Sequence, residues 1–138
     1  MKTVRSLAAI FLAGSAFSLI PMGAAHAASA GDAAQICGSG YWPIDQVTLA
    51  GAVIYLSYDG GTDCVVTMKT AFVGQLTKTE AAVKLAGTSS GKNDTGQYYQ
   101  YAGPVRLYAP HQCIQWGGAA LNPDGSMGGA LSPASHCG

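Results

Sequence analysis

Beyond residue 30, the side chains best suited to chemistry are two histidines and four cysteines, and the histidines sit beside cysteines. His111 stands two positions before Cys113, and His136 directly precedes Cys137. If those two cysteines pair, the imidazoles approach each other and form a couple able to move a proton or ligate a metal. The simpler reading is a solvent-facing histidine next to each cysteine. That reading is preferred here, and no metal or cofactor is expected.

Three other patterns resemble chemical motifs. Gly87-Thr88-Ser89-Ser90-Gly91 matches G-x-S-x-G, the turn that exposes a hydrolase serine above a parallel sheet. The next residues, Lys92-Asn93-Asp94-Thr95-Gly96, read as a turn rather than a helix, and the chain is too short for an α/β-hydrolase sheet. Ser89 is therefore expected on a polar loop from Gly87 to Gly96. Asp59 and Asp63 flank two glycines, but the alternating oxygen ligands and closing glutamate of a calcium loop are missing, so a hairpin turn is the better account. Asn93-Asp94-Thr95 fits the N-glycosylation pattern, a short motif common by chance. No catalytic residue is assigned, and the chain is read as non-enzymatic.

The aromatic residues point to contact rather than catalysis. Tyr98, Tyr99 and Tyr101 fall on one expected strand, Gln97 to Ala102, and alternate between its faces; Trp116, Tyr41 and Trp42 lie near cysteines and turns. Rings that are apolar with a polar tip either pack against disulfides or offer stacking surface to sugars and proteins. Tyr98, Tyr99, Tyr101 and Trp116 are the candidate binding residues.

The elements that must position these side chains begin after a leader. Lys2 and Arg5 precede an apolar run from Leu7 to Ile20, then Pro21 and small residues, in the order of a secretory signal peptide. A membrane anchor would need about 20 apolar residues. Cleavage is expected after Ala27 or after Ala30, leaving residues 28–138 as one domain of about 110 residues. That part carries five lysines and arginines against seven aspartates and glutamates, a net charge near −2. Nucleic acid and anionic membranes, which need clustered cations, are excluded as partners.

Cys37, Cys64, Cys113 and Cys137 read as two disulfides of an exported domain. They lie more than twenty residues apart, unlike the close pairs of a structural zinc site. Three pairings are open. Cys37 with Cys64 and Cys113 with Cys137 is the favoured one, because each closes a loop of roughly 25 residues and contributes on the order of 3 kcal/mol in the chain-entropy picture.

Strand signals are short and frequent. Ala52 to Tyr58 and Cys64 to Lys69 form a hairpin around Asp59-Gly60-Gly61-Thr62-Asp63, the second strand alternating as if half-buried. Glu80 to Leu85, Val105 to Tyr108 and Cys113 to Trp116 add further strands, and the Gly/Ala/Pro-rich stretch from Gly117 to Gly138 is expected to be irregular. The predicted fold is all-β, a small antiparallel sandwich or barrel with two disulfides.

Several stretches together resemble a known family: Cys37-Gly38-Ser39-Gly40-Tyr41, Ile54-Tyr55-Leu56-Ser57-Tyr58, Cys64-Val65-Val66-Thr67, Tyr101-Ala102-Gly103-Pro104-Val105, Cys113-Ile114-Gln115-Trp116-Gly117-Gly118 and the terminal Cys137. Their order and spacing are similar to the spore-associated protein A family of filamentous actinobacteria, small exported proteins found with spores and aerial structures. The resemblance implies a spore or cell-wall surface location and brings no catalytic residues with it. The resulting expectation is a secreted, non-enzymatic surface protein. The rivals are a small binding module for carbohydrate or for an enzyme to be inhibited, using the Gly87 to Gly96 loop, and a hydrolase using Ser89 or the histidines.

Overall fold

The computed structural model describes residues 27–138, so the leader reading falls outside the described residues. One short helix, α1 (Ala30–Cys37), precedes eight strands: β1 (Trp42–Thr48), β2 (Ala52–Tyr58), β3 (Thr62–Lys69), β4 (Thr77–Leu85), β5 (Gly91–Tyr98), β6 (Tyr101–Tyr108), β7 (Ile114–Leu121) and β8 (Met127–Leu131). The strands form two antiparallel four-stranded sheets, ordered β1-β2-β3-β6 and β5-β4-β7-β8. The all-β expectation resolves to a sandwich. No helix among the described residues is long and apolar enough to cross a membrane.

Two cores hold the layers. Between the sheets lie Ile54, Leu56, Val65, Ala81, Val83, Ala102, Val105, Ile114 and Trp116. On the outer face of the first sheet, α1 covers a second cluster built from Ala33, Cys37, Tyr55, Cys64, Val66 and Met68. β3 is thus buried on both faces rather than half-buried as its alternation implied. Val65 and Thr67 face the other sheet, while Cys64, Val66 and Met68 face the helix, a layer the strand pattern could not reveal.

The helix has a local cause. Ser29 accepts from the Asp32 amide at 3.2 Å, and the Asp32 carboxylate accepts from the Ser29 amide at 2.7 Å, a reciprocal capping box. At the other end, Arg106 donates through Nε and Nη2 to the Cys37 carbonyl, at 3.0 and 2.6 Å. The Cys37–Cys64 disulfide ties the same turn to β3. Cys113 pairs with Cys137, so the favoured connectivity holds.

Three sequence expectations change. The polar Gly87 to Gly96 loop shrinks to a turn, because Gly91 onward is β5, an edge strand that pairs only with β4 and whose outward side chains can all be polar. The expected tyrosine strand is the β5–β6 connection, with Tyr99 and Gln100 in the turn. The segment from Gly117 contains most of β7 and all of β8. Its small residues are needed there because a Cβ on Gly118 would lie 2.1 Å from Thr67 Oγ1 of the opposite sheet.

Candidate functional site

The two ends of β3 carry the polar groups that matter. At one end, Lys69 is buried, and its ammonium donates to the carbonyls of Gln75 at 2.6 Å and Tyr98 at 2.9 Å. Burial lowers its pKa, and the two carbonyls offset part of the lost hydration. The Gly74 amide donates to the Tyr99 carbonyl at 2.9 Å, which binds the 70–76 loop to the tyrosine turn. Val73, Leu76 and Tyr99, each more than half exposed, therefore share this end of the sandwich.

The candidate tyrosines do different work. Tyr98 packs against the inter-sheet core and donates through its hydroxyl to Asp94, whose other oxygen accepts from the Gly103 amide at 2.8 Å. The hydrogen bond to Asp94, more than burial, raises the Tyr98 pKa, since losing the proton would set two anions together. Tyr101 packs beneath the helix cluster. Tyr99 is 57% exposed and points outward from a shallow cleft of roughly 470 Å³ that includes Tyr98, Gln100, Tyr101 and Gly103. Trp116 is corrected as a contact residue: it is 1% exposed, and its neighbours are the inter-sheet core rather than solvent.

At the other end of β3, the Cys113–Cys137 disulfide brings His111 and His136 to the rim of one cleft of roughly 210 Å³. Ile44, Tyr58, Asp63, Ala109 and Gly138 complete its walls. His136 Nε2 lies 3.0 Å from Asp45 Oδ2, so the imidazole is engaged with β1. Both histidines adopt left-handed backbone angles, φ 58° and 53°. Asp63 is 2% exposed, and its carboxylate makes no hydrogen bond or ion pair with any described residue. Burial pushes its carboxyl up to about 6; the His136 field opposes this and Asp59 adds to it. Sequence reasoning treated Asp63 as a turn residue. Its alternation with Val65 and Thr67 was the signal that its side chain points inward.

The remaining candidates are plainly placed. Asp59 Oδ1 accepts from the Gly61 and Thr62 amides at 3.0 and 2.7 Å, so it builds the hairpin turn. Ser89 is exposed on the β4–β5 turn. Asn93 is exposed, with its amide 3.2 Å from Thr95 Oγ1. Among the described residues, no three or more histidine, cysteine, aspartate or glutamate side chains converge as metal ligands.

Comparison with known proteins adds one decisive relationship. The chain is 34% identical over 126 residues to Spore-associated protein A of Streptomyces coelicolor, covering 87% of this chain and 78% of that protein. It belongs to the spore-associated protein A family. No family model matches the sequence, and no solved structure matches it. Within the spore-associated protein A family, this chain displays a two-sheet sandwich with a helix on one outer face and two disulfides.

Proposed function

We propose that this protein is a secreted, non-enzymatic component of the spore or cell surface, which it contacts through the end of the sandwich bearing Tyr99, Val73 and Leu76. The observation that carries the reading is the relationship to Spore-associated protein A over most of both chains. Two disulfides fit a protein working outside the reducing cytoplasm. An aromatic and two aliphatic side chains held outward by a buried lysine give a contact surface that needs no rearrangement to bind.

A carbohydrate-binding module is the second reading, favoured by the cleft beside Tyr99, where a sugar ring could stack on an exposed tyrosine. A pull-down of the oxidised protein with the producer's spores, isolated cell wall and a panel of insoluble polysaccharides separates the two. Retention on spores and wall, lost in a folded Tyr99→Ala, Leu76→Ser variant, supports the surface role. Retention on one polysaccharide alone favours the carbohydrate reading, and retention unchanged by the substitutions removes this contact face.

A further inference from the structure

The cleft at the other end of β3 lies about 20 Å from Lys69, six residues along the strand at ~3.3 Å each, and the surface reading makes no use of it. Its chemistry is unusual for a small extracellular domain. A carboxyl group is turned into the end of the inter-sheet core, 2% exposed, with no hydrogen-bond or ion-pair partner among the described residues. Buried charges ordinarily have such partners. The rest of the cleft supplies Ile44 and Ala109 as apolar wall and Tyr58 as an aromatic ring.

The groups around Asp63 decide what could fill the space. Asp59 in the β2–β3 turn adds negative potential. His136 from the C-terminal segment is held by Asp45 of β1, and His111 from the β6–β7 connection lies on the exposed rim. No lysine or arginine lines the cleft, and the carboxylates of Asp63 and nearby Asp59 disfavour an anion. The described residues offer no third metal ligand. A cleft of roughly 210 Å³ has room for a small molecule.

We propose that this cleft binds a small organic cation, an alkylammonium whose NH₃⁺ group donates to the Asp63 carboxylate while its carbon stem lies along Ile44 and Ala109. The Tyr58 ring adds a π face for the same charge. The carboxylate then gains the charge-assisted hydrogen bond it lacks in the unliganded fold. Binding strengthens as pH rises from 5 to 7.5, because Asp63 ionises in this range. Tyr58, His111, His136 and the terminal carboxylate of Gly138 line the same cleft, with Asp45 behind His136 and Asp59 in the adjoining turn.

The test uses the purified protein with both disulfides formed, titrated at pH 7.5 with n-butylammonium, n-butanol and butyrate while backbone amide resonances are followed by NMR. Saturable shifts confined to the amides around Asp63, Ala109 and His111 are expected for n-butylammonium. Butyrate should be inert and n-butanol at least tenfold weaker. Asp63→Asn, which keeps the side-chain shape, should weaken n-butylammonium about tenfold or more. Ala109→Leu, which narrows the cleft without changing charge, should abolish the shifts. No saturable shift at millimolar probe, equal binding of n-butanol, or full affinity in a folded Asp63→Asn variant would each overturn the proposal. Because the tyrosine turn lies at the opposite end of the sandwich, loss of spore retention by Tyr99→Ala leaves this outcome untouched.

Discussion

The buried ammonium of Lys69 donates to the Tyr98 carbonyl at 2.9 Å, joining the end of β3 to the turn that exposes Tyr99. Its second bond, to Gln75, holds the loop carrying Val73 and Leu76 against the same turn. One long side chain thus fixes both halves of the proposed contact surface from within.

Lys69→Met keeps the apolar stem but leaves two carbonyls without their donor. Stability should fall by about 1–3 kcal/mol, the usual cost of an unsatisfied buried polar group. Hydrogen exchange at Gly74, whose amide bonds the Tyr99 carbonyl, should accelerate more than in β7. Denaturant unfolding and amide exchange check both effects; unchanged protection at Gly74 would show that the lysine does not hold the loop.

Asp63 should make stability fall as pH rises between about 4 and about 6. Its folded pKa of about 6 lies above the ordinary aspartate value of 3.8, so the folded state holds the proton over that interval while the unfolded chain has released it. Asp63→Asn should therefore stabilise the protein at pH 7 by up to roughly 3 kcal/mol and have little effect below pH 4. Paired urea titrations at pH 3.5 and 7 measure the difference; an equal effect at both pH values would contradict the assignment.

Removing the second disulfide by Cys113→Ser with Cys137→Ser should cost on the order of 3 kcal/mol, since the bond closes a separation of 24 residues. The His136 contact to Asp45 should loosen with it, while the Cys37–Cys64 bond remains intact. Thermal unfolding gives the first effect, and the NMR signal of the His136 ring gives the second.

Trp116→Ala and Tyr99→Ala should separate core from contact. The buried indole fills the space between the sheets, and its loss should cost roughly 3–5 kcal/mol. The exposed Tyr99 should change stability by no more than about 0.5 kcal/mol while reducing spore retention. A stability loss in Tyr99→Ala as large as that of Trp116→Ala would place Tyr99 in the fold rather than in contact.

Processing after Ala27 is expected in preference to Ala30. The Tyr55 hydroxyl donates to the Ala28 carbonyl at 3.3 Å, and Ser29 caps α1, so the later cut would remove a helix cap worth about 1 kcal/mol. The mass of the secreted protein distinguishes an N-terminus at Ala28 from one at Gly31.

Strand composition and turn chemistry made the β2–β3 hairpin legible, with Asp59 bonding its own turn as such residues do. Charge balance and cysteine number were equally readable, since both are properties of composition. Loop length favoured the correct disulfides because closure entropy depends on separation along the chain. The family resemblance likewise lay in the order of short motifs, later matched by the spore-associated relative.

Only the tertiary structure decided which faces are covered. Alternation along β3 marks two sides but cannot tell that a helix lies on one and a second sheet on the other, so a strand that reads as half-buried is buried on both. For the same reason Trp116 could not be assigned to core or surface, and β5 and β8, whose sequences lack apolar alternation, took their strand form from pairing with β4 and β7. The cleft at Asp63 exists because the C-terminal segment, fixed by Cys137, returns over the end of β3. That is a contact between residues more than seventy positions apart, which no local pattern encodes.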